Sequence, residues 1–170
     1  KEKIRPSDLS GKEIIENYLM KVTLSQNMDE VLKKNKSIKS YKEVTELSMA
    51  QMPGALTLTK MFKAPKTSAM KMEMNGMLIQ SGYFKGKKGY NNNMQTGKKK
   101  LTKEQVSERK KSLGLFPELN YEKYDIKVEA IGIESRGTRK LYVVKITDGE
   151  KEGYNYYNAS DFLQTKKPLI

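Results

Sequence analysis

The residue types that carry most enzyme chemistry are missing from this chain. Its 170 residues include no Cys and no His. That removes the Ser-His and Cys-His nucleophile pairs, the zinc-finger ligand sets and any disulfide framework. Carboxylates remain. Asp29, Glu30, Asp125 and Asp161 stand far apart in sequence, at helix starts and turns, where a carboxylate serves as a cap. No Asp/Glu cluster suggests a metal site or a glycosidase pair. The sequence therefore predicts a non-enzymatic protein with no catalytic residue, no metal and no cofactor.

What the chain offers instead is soft apolar chemistry. Met70, Met72 and Met74 alternate with Lys71 and Glu73 before an Asn75-Gly76 pair, and Met77 to Phe84 follow it. Two extended runs about Asn-Gly predict a hairpin, because a type I′ turn needs positive φ at both central residues. Strict alternation puts the three methionines on one face and the charges on the other. A methionine stripe fills the dry side of a sheet. Unbranched and polarizable, it also suits a flexible apolar guest, and the sequence leaves both readings open.

The net charge of +13 raises nucleic acid and anionic membrane as partners. Nearly all of the excess is Lys, with Arg only at Arg5, Arg109, Arg136 and Arg139. Arg is the residue for bidentate phosphate and base contacts, whereas Lys is a hydrated point charge. Tyr154, Tyr156 and Tyr157 beside Lys151 come nearest to a base-stacking set and read more simply as sheet residues. Nucleic acid is accordingly not expected. No run of 18 apolar residues predicts a membrane-spanning helix. The chain opens on Lys1 rather than Met, and that start is compatible with a removed export signal.

The elements that position these residues can be read in order. Residues 1–9 form a polar, flexible lead-in. Ser10-Gly11-Lys12-Glu13 is a capping box, opening a helix with Ile14, Ile15, Tyr18, Leu19 and Val22 on one stripe. Asn27 ends or caps, and a short helix over Met28–Lys34 turns Val31 and Leu32 inward. Tyr41–Met52 and Ala55–Phe62 read as strands around Pro53-Gly54, with Thr45, Leu47 and Met49 on one side and Leu56 and Leu58 on one side. Ala64-Pro65-Lys66 breaks the second strand, and the methionine hairpin comes next. Gly89–Met94 is a short strand, and Gln95-Thr96-Gly97 turns into the run Lys98-Lys99-Lys100. Thr102 and Gln105 make a second capping box, for a charged helix to Leu113 that belongs at a rim. Leu115 to Leu119 forms a plug or lid. Tyr124–Glu134, Lys140–Thr147, Tyr154–Tyr157 and Phe162–Lys167 complete the strands. Every strand connection is short enough for a hairpin, so the sheet is antiparallel. The fold class is α+β: one domain over 1–170, with helices laid on a large curved sheet.

The order of parts resembles a known family. The residues that carry it are Lys12–Leu19, the strand from Ile38, Met61-Phe62-Lys63-Ala64-Pro65-Lys66, Met70–Met74, and Tyr83-Phe84-Lys85-Gly86-Lys87-Lys88-Gly89-Tyr90. Leu115-Phe116-Pro117-Glu118-Leu119, Val128–Glu134, Tyr142–Ile146 and a Tyr-rich strand followed by a turn complete the set. Together they resemble the LolA/LolB-like outer-membrane lipoprotein-sorting fold, in the variety found in Bacteroidetes-type bacteria, alone or as a tail behind insulinase-type zinc peptidases.

That resemblance implies an incomplete barrel. Its N-terminal and mid-chain helices would pack at the open, concave side of an antiparallel sheet. It further implies a periplasmic, exported carrier in a Gram-negative bacterium, with the outer membrane as a place of association, for a lipid or a lipoprotein acyl chain. The cavity would be lined by Leu47, Met49, Leu56, Leu58, Met70, Met72, Met74, Leu78 and Tyr83, with Leu115 and Phe116 near its opening. The expected partners are a lipid or acylated protein, with an anionic membrane surface or a zinc peptidase as further candidates. The alternative is a structural or partner-binding accessory domain of such a peptidase. The chain departs from the peptidase pattern, since His-x-x-Glu-His cannot exist without His, and it ends at Ile170, where a closing strand is expected to be missing.

Overall fold

The structure, a computed structural model, describes residues 4–48 and 54–165. Three helices and ten strands are formed among them, and every strand pairing is antiparallel. The α+β class holds. The strands divide between two ladders, and the chain divides into two compact units: residues 1–36 with 118–170, and residues 37–117. The six-stranded sheet is thus an insertion between the N-terminal helices and the C-terminal strands.

In the first unit, α1 (Gly11–Thr23) starts at the expected capping box. The Ser10 hydroxyl accepts the Glu13 amide at 3.2 Å, and the Ser10 amide donates to the Glu13 carboxylate at 2.8 Å. That bonding holds the Glu13 carboxyl below its ordinary value. The helix α2 (Met28–Ser37) is capped by Asn27, whose side-chain oxygen accepts the Glu30 amide at 3.0 Å. β7 (Lys127–Arg136), β8 (Arg139–Asp148), β9 (Lys151–Asn158) and β10 (Gln164–Thr165) form the four-stranded sheet, in the order β10-β9-β8-β7.

α1 lies directly on β7. A Cβ at Gly11 would stand 2.9 Å from the Glu129 amide nitrogen, so only glycine allows this approach. Ile14, Ile15 and Leu19 are buried, with Val31 of α2 and Leu141 to Val144 of β8. Tyr18 meets Tyr157 with ring centroids 5.4 Å apart. Val22 and Leu32, expected to face inward, are exposed. Val31 and Leu32 are about 100° apart on the helix, so only one of them can point into the core.

Three more expectations for this unit are corrected. The lead-in is docked from residue 4 on: the Arg5 and Ile133 backbones exchange hydrogen bonds of 3.0 and 2.7 Å, and the Tyr142 hydroxyl donates to Asp8 at 3.1 Å. Tyr124 ends a 3-10 turn rather than opening a strand, and the strand begins at Lys127. The last strand is the two-residue β10, because Phe162 takes a left-handed conformation and stacks on Tyr142. Of the predicted Phe162–Lys167 strand, Phe162 and Leu163 are not strand, and residues 166–167 lie outside the described residues.

The second unit is a meander: β1 (Ser40–Ser48), β2 (Ala55–Lys63), β3 (Thr67–Met74), β4 (Met77–Lys85), β5 (Lys88–Asn93) and β6 (Gly97–Lys100), in chain order across the sheet. Asn75 and Gly76 have φ of 51° and 79°, the pair of positive angles the hairpin requires. The Lys98-Lys99-Lys100 run, expected only as a segment beyond a turn, is the edge strand β6 paired to β5. β1 is described only to Ser48, so the predicted continuation to Met52 lies outside the described residues. α3 (Lys103–Lys111) comes after the second capping box, with the Thr102 hydroxyl accepting the Gln105 amide at 3.2 Å.

Candidate ligand-binding site

Residues directly opposite in an antiparallel ladder share a face. The registers of the six-stranded sheet therefore assign every strand residue to one of two sides. One side is the methionine face. Its first row runs Tyr41, Phe62, Ser68, Phe84 and Gly89 across β1 to β5. Its second row is Glu43, Lys60, Met70, Gly82 and Asn91. Its third is Thr45, Leu58, Met72, Gln80 and Asn93, and its fourth is Leu56, Met74 and Met77.

α3 and its flanks occupy the first two rows. The Leu101 amide donates to the Gly89 carbonyl at 2.9 Å. At the far end the Tyr41 hydroxyl donates to the Gly114 carbonyl at 3.0 Å, and the Tyr41 ring stacks on Phe62. Between them the Arg109 guanidinium rests on Met70, 3.5 and 3.6 Å from Sδ, and donates to Asn91 Oδ1 at 3.4 Å. Gly82 makes room for it: a Cβ there would sit 2.9 Å from Asn91 Oδ1 and 3.3 Å from Arg109 Nη2. α3 is polar on every side and buries no residue of its own, as the charged sequence predicts, yet it crosses the sheet instead of standing clear of it. It does so through one cation and the two ends of the segment.

Beneath α3 lies a pocket of about 150 Å³, lined by Tyr41, Lys60, Met70, Gly82, Phe84 and Arg109 among others. Phe84 forms its floor and is 1% exposed. Beyond Arg109, in the third and fourth rows, Leu56, Leu58, Met72 and Met74 are only half-buried. They form a contiguous apolar patch with the Met70 thioether and two cations, Lys60 and Arg109, at one border. Along β3 the stripe from Met70 to Met74 measures about 14 Å, at roughly 3.4 Å per residue.

The candidate residues from the sequence divide on this geometry. Leu56, Leu58, Met70, Met72 and Met74 are together. The Leu47 backbone pairs with that of Leu56. Met49 lies outside the described residues. Tyr83 does not join them: it pairs with Ala69 and Tyr90 and so projects from the opposite face. Leu78 is displaced too, because the ladder slips by one residue between Met72 and Glu73 and brings Leu78 opposite Glu73. A bulge of that kind flips the side chains beyond it, and no alternation rule in β4 announces it. Phe116 is half-buried and Leu115 exposed, just past the Gly114 anchor.

Sequence reasoning missed Arg109, which it read only as part of a charged helix. It also missed Glu118. This carboxyl lies in the first unit, near Tyr18, Tyr121 and Tyr157, with its Oε2 buried and without a partner. Burial raises the Glu118 carboxyl above its ordinary range, and burial with the nearby Glu118 charge raises Tyr121 to about 12. Two of the four carboxylates singled out in the sequence accept backbone amides: Asp161 from Leu163 at 2.9 Å and Glu30 from Gln26 at 2.9 Å. Among the described residues no group of three or more acidic side chains could hold a metal ion. A groove of about 710 Å³ between the lead-in and β7 is open and mixed in lining, with Ile4, Leu9, Val128 and Ile131 beside Arg5, Asp8 and Glu129.

No family model matches the sequence, and no curated protein matches it. Among solved structures, a LolA superfamily protein from Nitrosomonas europaea aligns over 92% of this chain and 69% of its own, with a TM-score of 0.50 and 11% identity. The chain has a LolA-like fold. At that identity the likeness carries the fold alone. It supports neither the Bacteroidetes-type setting nor a place behind a zinc peptidase.

Proposed function

We propose that the protein is a non-enzymatic carrier or binding module for an amphiphile with an acyl tail, a lipid or a lipoprotein acyl chain. In this reading it works in the periplasm after export, as befits a LolA-like fold. The observation that carries the reading is the half-buried patch of Leu56, Leu58, Met72 and Met74 ending at Lys60 and Arg109. A tail laid along the stripe would gain about 0.8 kcal/mol per methylene removed from water. An anionic head would meet the two cations at the Met70 end. Methionine suits such a guest because its flexible side chain adapts to chains of different length and kink.

One observation favours a second reading, a scaffold that binds a protein partner and no lipid. The pocket under α3, at about 150 Å³, is smaller than the roughly 300–1,000 Å³ usual for ligand sites. The carrier reading requires the tail to lie on the open patch, with only its end near Arg109. Native mass spectrometry of protein produced in a bacterial periplasm separates the two. The carrier retains mass increments of acyl lipids that detergent exchange removes; a scaffold flies at its bare mass whatever lipid is offered.

A further inference from the structure

The side of the six-stranded sheet opposite the methionines is dominated by positive charge. The registers place Lys42, Lys63, Lys71, Lys85, Lys88, Lys98 and Lys100 on it, against Glu46 and Glu73. Glu73 is already committed to Lys71, at 2.8 Å. The methionine face of the same strands bears only Lys60, Lys99 and Glu43. Strand alternation has thus sorted the positive charge to one side. Except for Lys71, these lysines are exposed, and the row that joins Lys42 to Lys100 passes through Met61, Ala69, Tyr83 and Tyr90. Met61, Tyr83 and the neighbouring Val44 are exposed apolar groups among them. Five strand spacings make that row about 24 Å long.

We propose that this lysine face docks on an anionic lipid bilayer surface. A broad array of lysines with shallow apolar side chains between them suits a layer of phosphate headgroups: each lysine acts as a point charge, and Tyr83 and Met61 settle at headgroup depth. A nucleic acid fits less well. The Tyr90 ring is covered by Lys98, whose Nζ is 3.8 Å from the centroid, and also meets Tyr83 at 5.7 Å, so it does not stand free to stack on a base, and Tyr83 alone makes no stacking series. No arginine lies on this face to fork onto phosphate or guanine. Membrane docking does not depend on the carrier reading, because the two faces use different side chains.

The test is co-sedimentation of the full chain with vesicles of phosphatidylcholine, alone or with about 30 mol % phosphatidylglycerol, at low and physiological salt. The wild type should bind the anionic vesicles only, and less as salt rises. The quadruple variant K85Q/K88Q/K98Q/K100Q should bind about tenfold more weakly or worse, while K12Q/K33Q/K36Q/K123Q, which removes the same charge elsewhere, keeps most of the affinity. Circular dichroism checks that both remain folded, and fluorescent fatty-acid binding to the methionine face should be unchanged in the lysine-face variant. Equal losses in the two quadruple variants would reduce the effect to net charge and overturn the proposal. So would undiminished binding by the lysine-face variant, or tighter binding to a single-stranded oligonucleotide than to the anionic vesicles.

Discussion

The two units of this protein build sheets of similar strand length and use them differently. In the unit of α1, α2 and β7 to β10, Ile14, Leu19, Val31, Val144 and Tyr157 are all 2% exposed or less. In the six-stranded unit, Phe84 is the one buried apolar side chain among the described residues; Leu56, Leu58, Met70, Met72 and Met74 are half-buried and Met77 is exposed. The C-terminal sheet spends its apolar residues on branched and aromatic packing under a helix that Gly11 lets come close. The methionine sheet has a cover of low apolar content, held by one arginine and two anchors. Stability belongs mainly to the first unit, and adaptable apolar surface to the second.

Substitutions should break or sharpen this contrast by their size. Leu19→Ala, in the packed unit, should cost about 2–5 kcal/mol in chemical denaturation, since it leaves a cavity in a close-packed core. Met72→Leu, in the other unit, should cost less than about 1.5 kcal/mol, because the volume is conserved and the site is half-open. If the two proved equal, the contrast would fail.

Much of this is legible in the sequence because it rests on local rules. Both capping boxes, the Asn75-Gly76 hairpin, the antiparallel order and the common face of the three methionines come from spacing and turn chemistry, while a place for Leu56 and Leu58 beside them is what the resemblance implies. What escapes is non-local or irregular. Nothing in residues 10–37 says which strands their apolar stripe meets, so the sequence alone lays the N-terminal helices on one large curved sheet. In the structure they fold in one unit with β7 to β10. The slip beside Met72 moves Leu78, and strict alternation already puts Tyr83 opposite the methionines. The lysine run reads as a solvated stretch because charge hides β-pairing. Arg109 and Glu118 matter through what lies across from them, which composition does not reveal.

Smaller effects sharpen the picture at the edges. Gly11→Val should lower stability through its clash with the Glu129 backbone, and Ser10→Ala, at the same helix start, by about 0.5–2 kcal/mol through the lost cap; thermal melts at neutral pH rank the two. Glu118 gives a pH dependence confined to the packed unit. Its folded-state pKa is raised, so the stability tied to its neutral form is fully present below the ordinary carboxylate pKa and is lost as pH rises through the raised value. Glu118→Gln should flatten that part of the stability–pH curve and raise stability at neutral pH. An unchanged curve would mean the carboxyl is solvated.

Fluorescence titration with a dansyl-labelled medium-chain fatty acid tests most directly whether the methionine face is a surface kept open for a guest. The wild type should show saturable, blue-shifted binding, and the double variant Leu58→Glu/Met72→Glu should lose it while its far-ultraviolet dichroism and its denaturation midpoint, set mainly by the other unit, stay close to the wild type. Equal saturable binding by both proteins, or none by the wild type, would contradict the account.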